Sequence, residues 1–324
     1  RPLLASLGDT VNNLTIATDG PRGSPFERRF AIVVTANRTT AARVRAALVA
    51  SGLPERAINV MPIPTPLARV GLERPGDRFQ LLHRVALFDD RAAGEAYLAS
   101  PGTRVFRVSP RQRVAPRAFA TPALRRHGTG TTEAALRGSL DALGAAILER
   151  HGRARAEQIS VAHRTPFQVH QFGYWCIARG VSCLADNHDT LYPYSEPFRL
   201  RPRDRVIVWG VNHEAAGKAT YANFTVYGIR HLVGVVSVDS RQLAGSAADY
   251  VPNDPNVSRL YAWTVARACG DAPHCTEIPT GCPGVDLDRR GYVAFRMYME
   301  PATATSPHPD ELLLDRVTRF PAPE

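Results

Sequence analysis

Residues 183–231 gather an unusual density of side chains able to do chemistry. Asp186, His188, Asp189, Glu196, His213, Glu214 and Lys218 lie there among Tyr192, Tyr194, Tyr221 and Tyr227. Imidazole with carboxylate suits a divalent transition metal such as Zn, Fe or Cu, and an open coordination position makes such a site catalytic. On this reading His163, His170, Asp186 and His188 are the expected metal ligands. His213, Lys218 and Asp189 are the expected catalytic groups: a histidine held by Asp186 or Asp189 is a competent general base near neutral pH, and a lysine can anchor an anion or act as a nucleophile. Lys218 is the only lysine of the chain, against 39 arginines.

These residues need strands to carry them. Val206–Val211 is an apolar run that reads as a buried strand, ending at His213 and Glu214, whose side chains then face opposite sides. In Thr220–Tyr227, period two puts Tyr221, Asn223, Thr225 and Tyr227 on one face and Ala222, Phe224 and Val226 on the other. The second set is a core face. The first, with Tyr192 beside it, is the expected substrate-binding surface for a small-molecule ligand. Leu232–Val238 and Tyr292–Met299 read as further strands, and Val257–Cys269 as a helix.

Upstream, Phe30–Thr35, a helix capped by Thr39 or Thr40 and running to Ser51, and Ala57–Pro62 form a β–α–β pattern. It has no glycine-rich phosphate loop, so no nucleotide cofactor is expected. Phe79–Phe88 and Val105–Val108 read as strands, and Asp90–Ala99 as a short helix. Leu136, Leu140, Leu143 and Ile147 have helical spacing in a helix expected from Thr131 or Thr132 to His151, closed by Gly152. The fold class is α+β. An extended arm (1–28) precedes an α/β region (29–125), a connecting helix (126–157) and a larger β-rich, sandwich or jelly-roll-like domain (158–324) that carries the site.

The net charge is +10 over 324 residues. The arginines are scattered and not interleaved with aromatics, which argues against nucleic acid, although the charge favours anionic ligands. No apolar run is long enough for a membrane span. Five cysteines fall in two local groups, Cys176 and Cys183, then Cys269, Cys275 and Cys282. Two disulfides, Cys176–Cys183 and one within 269–282, fit an exported protein, while buried reduced thiols fit the cytoplasm. A homo-oligomer is compatible with everything above.

Asn187-His188-Asp189-Thr190-Leu191-Tyr192 resembles the N-x-D-T-L-Y signature of a pair of bacterial domain families of unknown function that often occur together. Tyr221, Asn223 and Tyr227 match the Y-x-N-x-x-x-Y segment that follows it there, while Gly228 and Arg230 come one position early. Arg296-Met297-Tyr298 is similar to the R-x-Y of the partner domain, with Pro301 one residue late. The resemblance covers residues 183–231 and, more weakly, 291–320. It implies a β-sandwich or jelly-roll and no particular reaction.

Three function classes follow from these residues. The first is a metal-assisted hydrolase, lyase or oxidoreductase acting on a small organic, anionic substrate near residues 186–227. The second is a metal-free enzyme using His, Asp and Lys218. The third is an exported binding or assembly protein with a tyrosine-rich interface.

Overall fold

A computed structural model of the protein describes residues 4–23, 25–70, 76–85, 88, 90–162, 172–183, 186–230 and 232–322. The chain divides into two compact units. One comprises Arg1–Ile16, Arg22–Ser24 and Ala123–Glu324, the other Ala17–Pro21 and Pro25–Pro122.

The smaller unit holds β1 (Ala31–Thr35), α1 (Arg38–Ala50), β2 (Ile58–Pro62) and α2 (Arg91–Ala99). β1 and β2 pair in parallel, as a β–α–β unit requires. Asn37 caps α1 in place of the expected threonines; its carboxamide oxygen accepts from the backbone N–H groups of Thr39 and Thr40. Asp90 caps α2 through the Ala93 N–H. The expected strands at 79–88 and 105–108 are absent among the described residues, where the chain is irregular and Leu82, Val105 and Phe106 are exposed. Their residues suit a strand, but among the described residues they join no ladder, and propensity without a pairing partner makes no sheet.

The larger unit contains α3 (Arg137–His151), β3 (Glu157–Ile159), β4 (Val161–Ala162), α4 (Phe172–Arg179), β5 (Thr190–Leu191), β6 (Tyr194–Ser195), β7 (Arg205–Val211), β8 (Tyr221–Gly228) and β9 (Val233–Asp239). After these come α5 (Ser240–Leu243), β10 (Leu260–Ala266), β11 (Cys275–Glu277), β12 (Gly291–Tyr298) and β13 (Arg316–Phe320). One sheet runs β11-β10-β7-β13-β3. The second runs β4-β6-β12-β8-β9, with β5 also on β12. Val206, Val208, Tyr261, Val265 and Val317 of the first share a core with Phe224, Val226, Val293, Phe295 and Met297 of the second, which is a sandwich arrangement.

α3 and the turn before it cover the outer face of the first sheet, laying Leu136, Leu140, Leu143 and Ile147 against Ile207, Trp209, Leu260 and Phe320. β7 is therefore buried on both sides, which explains its unbroken apolar run. Gly144 permits the close approach of α3: a Cβ there would sit 2.5 Å from the Trp209 ring. The helix begins at Arg137, after a short 3-10 turn at Ala134–Leu136 and later than threonine capping implies, and the Glu133 side chain just before that turn points inward to His213. The helix expected over 257–269 is a 3-10 turn at Val257–Arg259 followed by β10. β10 pairs along its whole length with β7, and this ladder overrides the helical spacing of its apolar residues.

The overall class is α+β. Disulfides join Cys176 to Cys183 and Cys269 to Cys275, leaving Cys282 free and exposed. Among the described residues no helix is long and apolar enough to cross a membrane.

Candidate functional site

β8 and β12 alternate as their sequences require. Ala222, Phe224, Val226, Val293, Phe295 and Met297 point into the core, and Tyr221, Asn223, Tyr227, Tyr292, Arg296 and Tyr298 form a partly exposed outer face. The antiparallel register sets Tyr221 opposite Tyr298, Asn223 opposite Arg296, Thr225 opposite Ala294, and Tyr227 opposite Tyr292. The Tyr227 and Tyr292 rings stack at 5.3 Å, and those of Tyr221 and Tyr298 lie 5.8 Å apart. Between these aromatic pairs Ala294 and Thr225 are small. The Arg296 side chain crosses this low ground, donating to Thr225 Oγ1 at 3.2 Å and to the Tyr227 hydroxyl.

The Arg296 guanidinium carbon lies 5.9 Å from the Tyr192 ring centre and 5.7 Å from that of Tyr227, within cation–π range. Among the described residues no carboxylate comes within ion-pair distance of it. Burial alone would lower its pKa; the Tyr227 hydroxyl and the surrounding tyrosines outweigh that and raise it. Burial pushes the Tyr221 and Tyr292 phenols up, so both are neutral at pH 7. The expected binding residues Tyr192, Tyr221, Asn223 and Tyr227 thus share one face, with a fixed cation at its centre. Arg296 had a sequence signal: it occupies an outward position of an alternating strand that β8 pairs with.

A second constellation lies where the N-terminal segment and β5 meet. Asn187 Oδ1 accepts from the Asp189 N–H at 2.9 Å, and its amide nitrogen reaches Thr190 Oγ1 at 3.2 Å, an Asx turn that orients this stretch. His188 Nδ1 lies 2.6 Å from Asp9 Oδ1, and its ring is 3.9 Å from that of His127. Asp189 accepts from Asn12 Nδ2 at 3.0 Å and lies 3.8 Å from an Arg125 nitrogen. Burial raises Asp189 to about 6 against the pull of Asn12, Arg125 and His188. Burial, reinforced by His188, lowers His127 to about 4. Burial would also raise Asp9, but His188 and the Arg125 N–H outweigh it and hold that carboxyl below the usual range. A void of about 10 Å3, at the lower limit for a single water, opens beside His188, Asp186 and Tyr174. Asp9, Asn12, Arg125 and His127 could not be found from local spacing, since they lie more than sixty residues from their partners.

His213 and Lys218 belong to neither constellation. His213 does not meet Asp186 or Asp189. Its Nδ1 is 2.7 Å from Glu133 Oε1 and its Nε2 is 3.5 Å from Asp315 Oδ2, all three side chains being buried. Asp315 also accepts from the Tyr261 hydroxyl at 2.5 Å, and Gly210 makes room for it: a Cβ there would lie 2.6 Å from Asp315 Oδ1. Burial would lower the imidazole pKa; Glu133 and Asp315 outweigh it and raise it to about 10. His213 is thus a protonated structural cation at neutral pH and has no free lone pair with which to act as a base. Glu214 points elsewhere, accepting from the Ser240 hydroxyl.

Lys218 Nζ donates to Glu311 Oε2 at 2.5 Å, Glu300 Oε1 at 2.6 Å and the Thr131 carbonyl at 2.8 Å. Its burial would lower the ammonium pKa, but the two carboxylates outweigh it and raise it. Three N–H donors meet three strong acceptors, which leaves none for a ligand. Of the expected metal ligands, His163 and His170 lie outside the described residues. Asp186 accepts from the Ser6 N–H at 2.9 Å, and His188 faces Asp9. Among the described residues no group of three or more His, Cys, Asp or Glu side chains is placed to hold a metal ion.

No family profile matches the chain. No curated protein sequence matches it. Among solved structures it is similar to the VPA0106 protein of Vibrio parahaemolyticus, at 12% identity and a TM-score of 0.31, over 58% of this chain and 46% of that one. The chain therefore matches less than half the length of that protein.

Proposed function

We propose that the protein binds a small organic carboxylate on the outer face of its second sheet. Arg296 receives the carboxylate, while Tyr192, Tyr221, Asn223 and Tyr227 surround the body of the ligand. The observation that carries this reading is the state of Arg296: partly buried, fixed by the Thr225 and Tyr227 hydroxyls, flanked by two aromatic rings, and without a carboxylate partner among the described residues. A guanidinium so held is preorganised for a two-pronged contact with a carboxylate. The tyrosine rings beside it add apolar contact and hydroxyl groups. The two disulfides fit a binding protein working in an oxidising, exported location.

The test is thermal unfolding against mono- and dicarboxylic acids, with the matching amides as uncharged controls. At least one acid should raise the midpoint while its amide does not, and Arg296→Gln should remove the rise. If no acid stabilises the native protein, or the variant responds equally, the reading fails.

A second reading is metal-free acid–base catalysis. The approach of Asp9 to His188, beside a carboxyl raised by burial, favours it, since a histidine oriented by a carboxylate is a general base. Loss of turnover in His188→Gln, with the fold retained, would support it once a substrate is known. Turnover surviving that substitution would end it.

A further inference from the structure

Several of the arginines that give this chain its positive charge line a cavity. A groove of about 510 Å3 is lined by Glu157, Gln158, Ser160, Glu196, Phe198, Arg199, Arg201, Arg290 and Arg319, among others. It lies on the sandwich edge, where the chain leaves β3, an outer strand of the first sheet, and enters β4 of the second. The Glu196 N–H donates to the Ser160 carbonyl at 2.8 Å. Phe198 and Gly291 exchange backbone hydrogen bonds of 2.8 and 2.9 Å, which brings Arg290 alongside. Phe198 and Leu200 are buried in the sandwich core, so their neighbours Arg199 and Arg201 are turned outward together.

The charges of this groove do not balance. Arg319 is neutralised, with Nη2 on Asp204 and Nη1 on Glu157, each at 2.8 Å. Those two carboxylates are thereby used. Arg199, Arg201 and Arg290 have no carboxylate within ion-pair distance among the described residues. The one remaining lining carboxylate, Glu196, is exposed. Three guanidiniums thus face one carboxylate across a volume that suits a small organic molecule and far exceeds a single inorganic anion. Ser160 and Gln158 add neutral hydrogen-bonding groups. Guanidinium forks match the oxygens of phosphate and sulfate, and three of them call for more than one charge.

We infer that this groove is a second anion site, separate from the Arg296 face, that takes a soluble organic molecule bearing two or more phosphate or sulfate groups. Arg199, Arg201 and Arg290 hold the anionic groups, while the Arg319–Asp204–Glu157 cluster stiffens the wall.

The test is isothermal titration with inorganic pyrophosphate as the probe and inorganic phosphate as the singly substituted control, alongside cosedimentation with phosphatidylglycerol vesicles. Pyrophosphate should bind more tightly than phosphate and weaken with added salt. The double variant Arg199→Ala/Arg290→Ala should lose roughly tenfold in affinity, at the scale of two exposed charge contacts. Its unfolding midpoint should stay unchanged, because both side chains are exposed. Arg296→Gln should bind pyrophosphate as the native protein does, which separates this site from the carboxylate site. Three results would each overturn the inference: no pyrophosphate binding up to about 5 mM, equal binding by the double variant, or vesicle binding without pyrophosphate binding, which would assign the arginines to a lipid surface.

Discussion

Arg296 faces Asn223 across the β12–β8 ladder, yet its guanidinium is bound further along the sheet, at Thr225 two residue pairs away and Tyr227 four pairs away. The side chain lies flat on the sheet because Ala294 leaves it room. The charge is therefore held in place before any ligand arrives, which lowers the ordering cost of binding.

Arg296→Lys tests the fork itself. A lysine keeps the charge but loses the two-pronged geometry, so carboxylate affinity should fall between that of the native protein and Arg296→Gln. Complete loss of the charge-assisted contact costs about 1.5–3 kcal/mol. Titration of the three proteins with one stabilising acid measures it, and equal affinities for native and Lys proteins would show that the fork is not used.

Lys218→Met should cost stability and leave carboxylate binding by the surviving folded protein unchanged. It strands the buried Glu300 and Glu311 carboxylates without their cation, a loss of about 3–5 kcal/mol. Urea unfolding checks this. A variant as stable as the native protein but unable to bind ligand would return Lys218 to a functional role.

His213 makes the fold sensitive to alkali. Its folded pKa of about 10 lies above the ordinary histidine value of 6.5, so between these values the folded state holds a proton that the unfolded state has released. Its contribution is fully present below pH 6.5 and is lost as pH rises through about 10. His213→Asn should show lower stability at neutral pH and a flatter decline toward pH 10. Parallel curves for the two proteins would argue that the imidazole is neutral in the folded state.

His127 and Asp189 act in opposite senses in the same acid window. His127, lowered to about 4, makes the folded state refuse a proton that the unfolded state accepts, so stability falls as pH drops from 6.5 to 4. Asp189, raised to about 6 from 3.8, makes the folded state accept a proton that the unfolded state does not, so stability rises over pH 6 to 4. The two largely offset each other in the native protein. Relative to native, His127→Gln should gain stability as the medium is acidified from pH 6.5 to 4, and Asp189→Asn should lose it. Guanidinium unfolding at a series of pH values resolves the pair; the same sign for both variants would contradict it.

Strand periodicity was enough to sort β8 into a core face and a tyrosine face, because alternation in a paired strand is a property of the backbone alone. Cysteine spacing narrowed the disulfides to local pairs, and helical spacing marked the packed side of α3. Burial and partnership were beyond the reach of spacing. His213 and Lys218 looked like catalytic groups because their types are reactive; Glu133 and Asp315 for the one, Glu300 and Glu311 for the other, arrive from distant parts of the chain and turn them into internal cations. The same long-range approach creates the Asp9–His188 contact and gathers Arg199, Arg201 and Arg290 at one groove. A side chain's type is local, but its charge state and its free valences depend on what the fold brings within a few ångströms of it, and that is settled only when the sheets close.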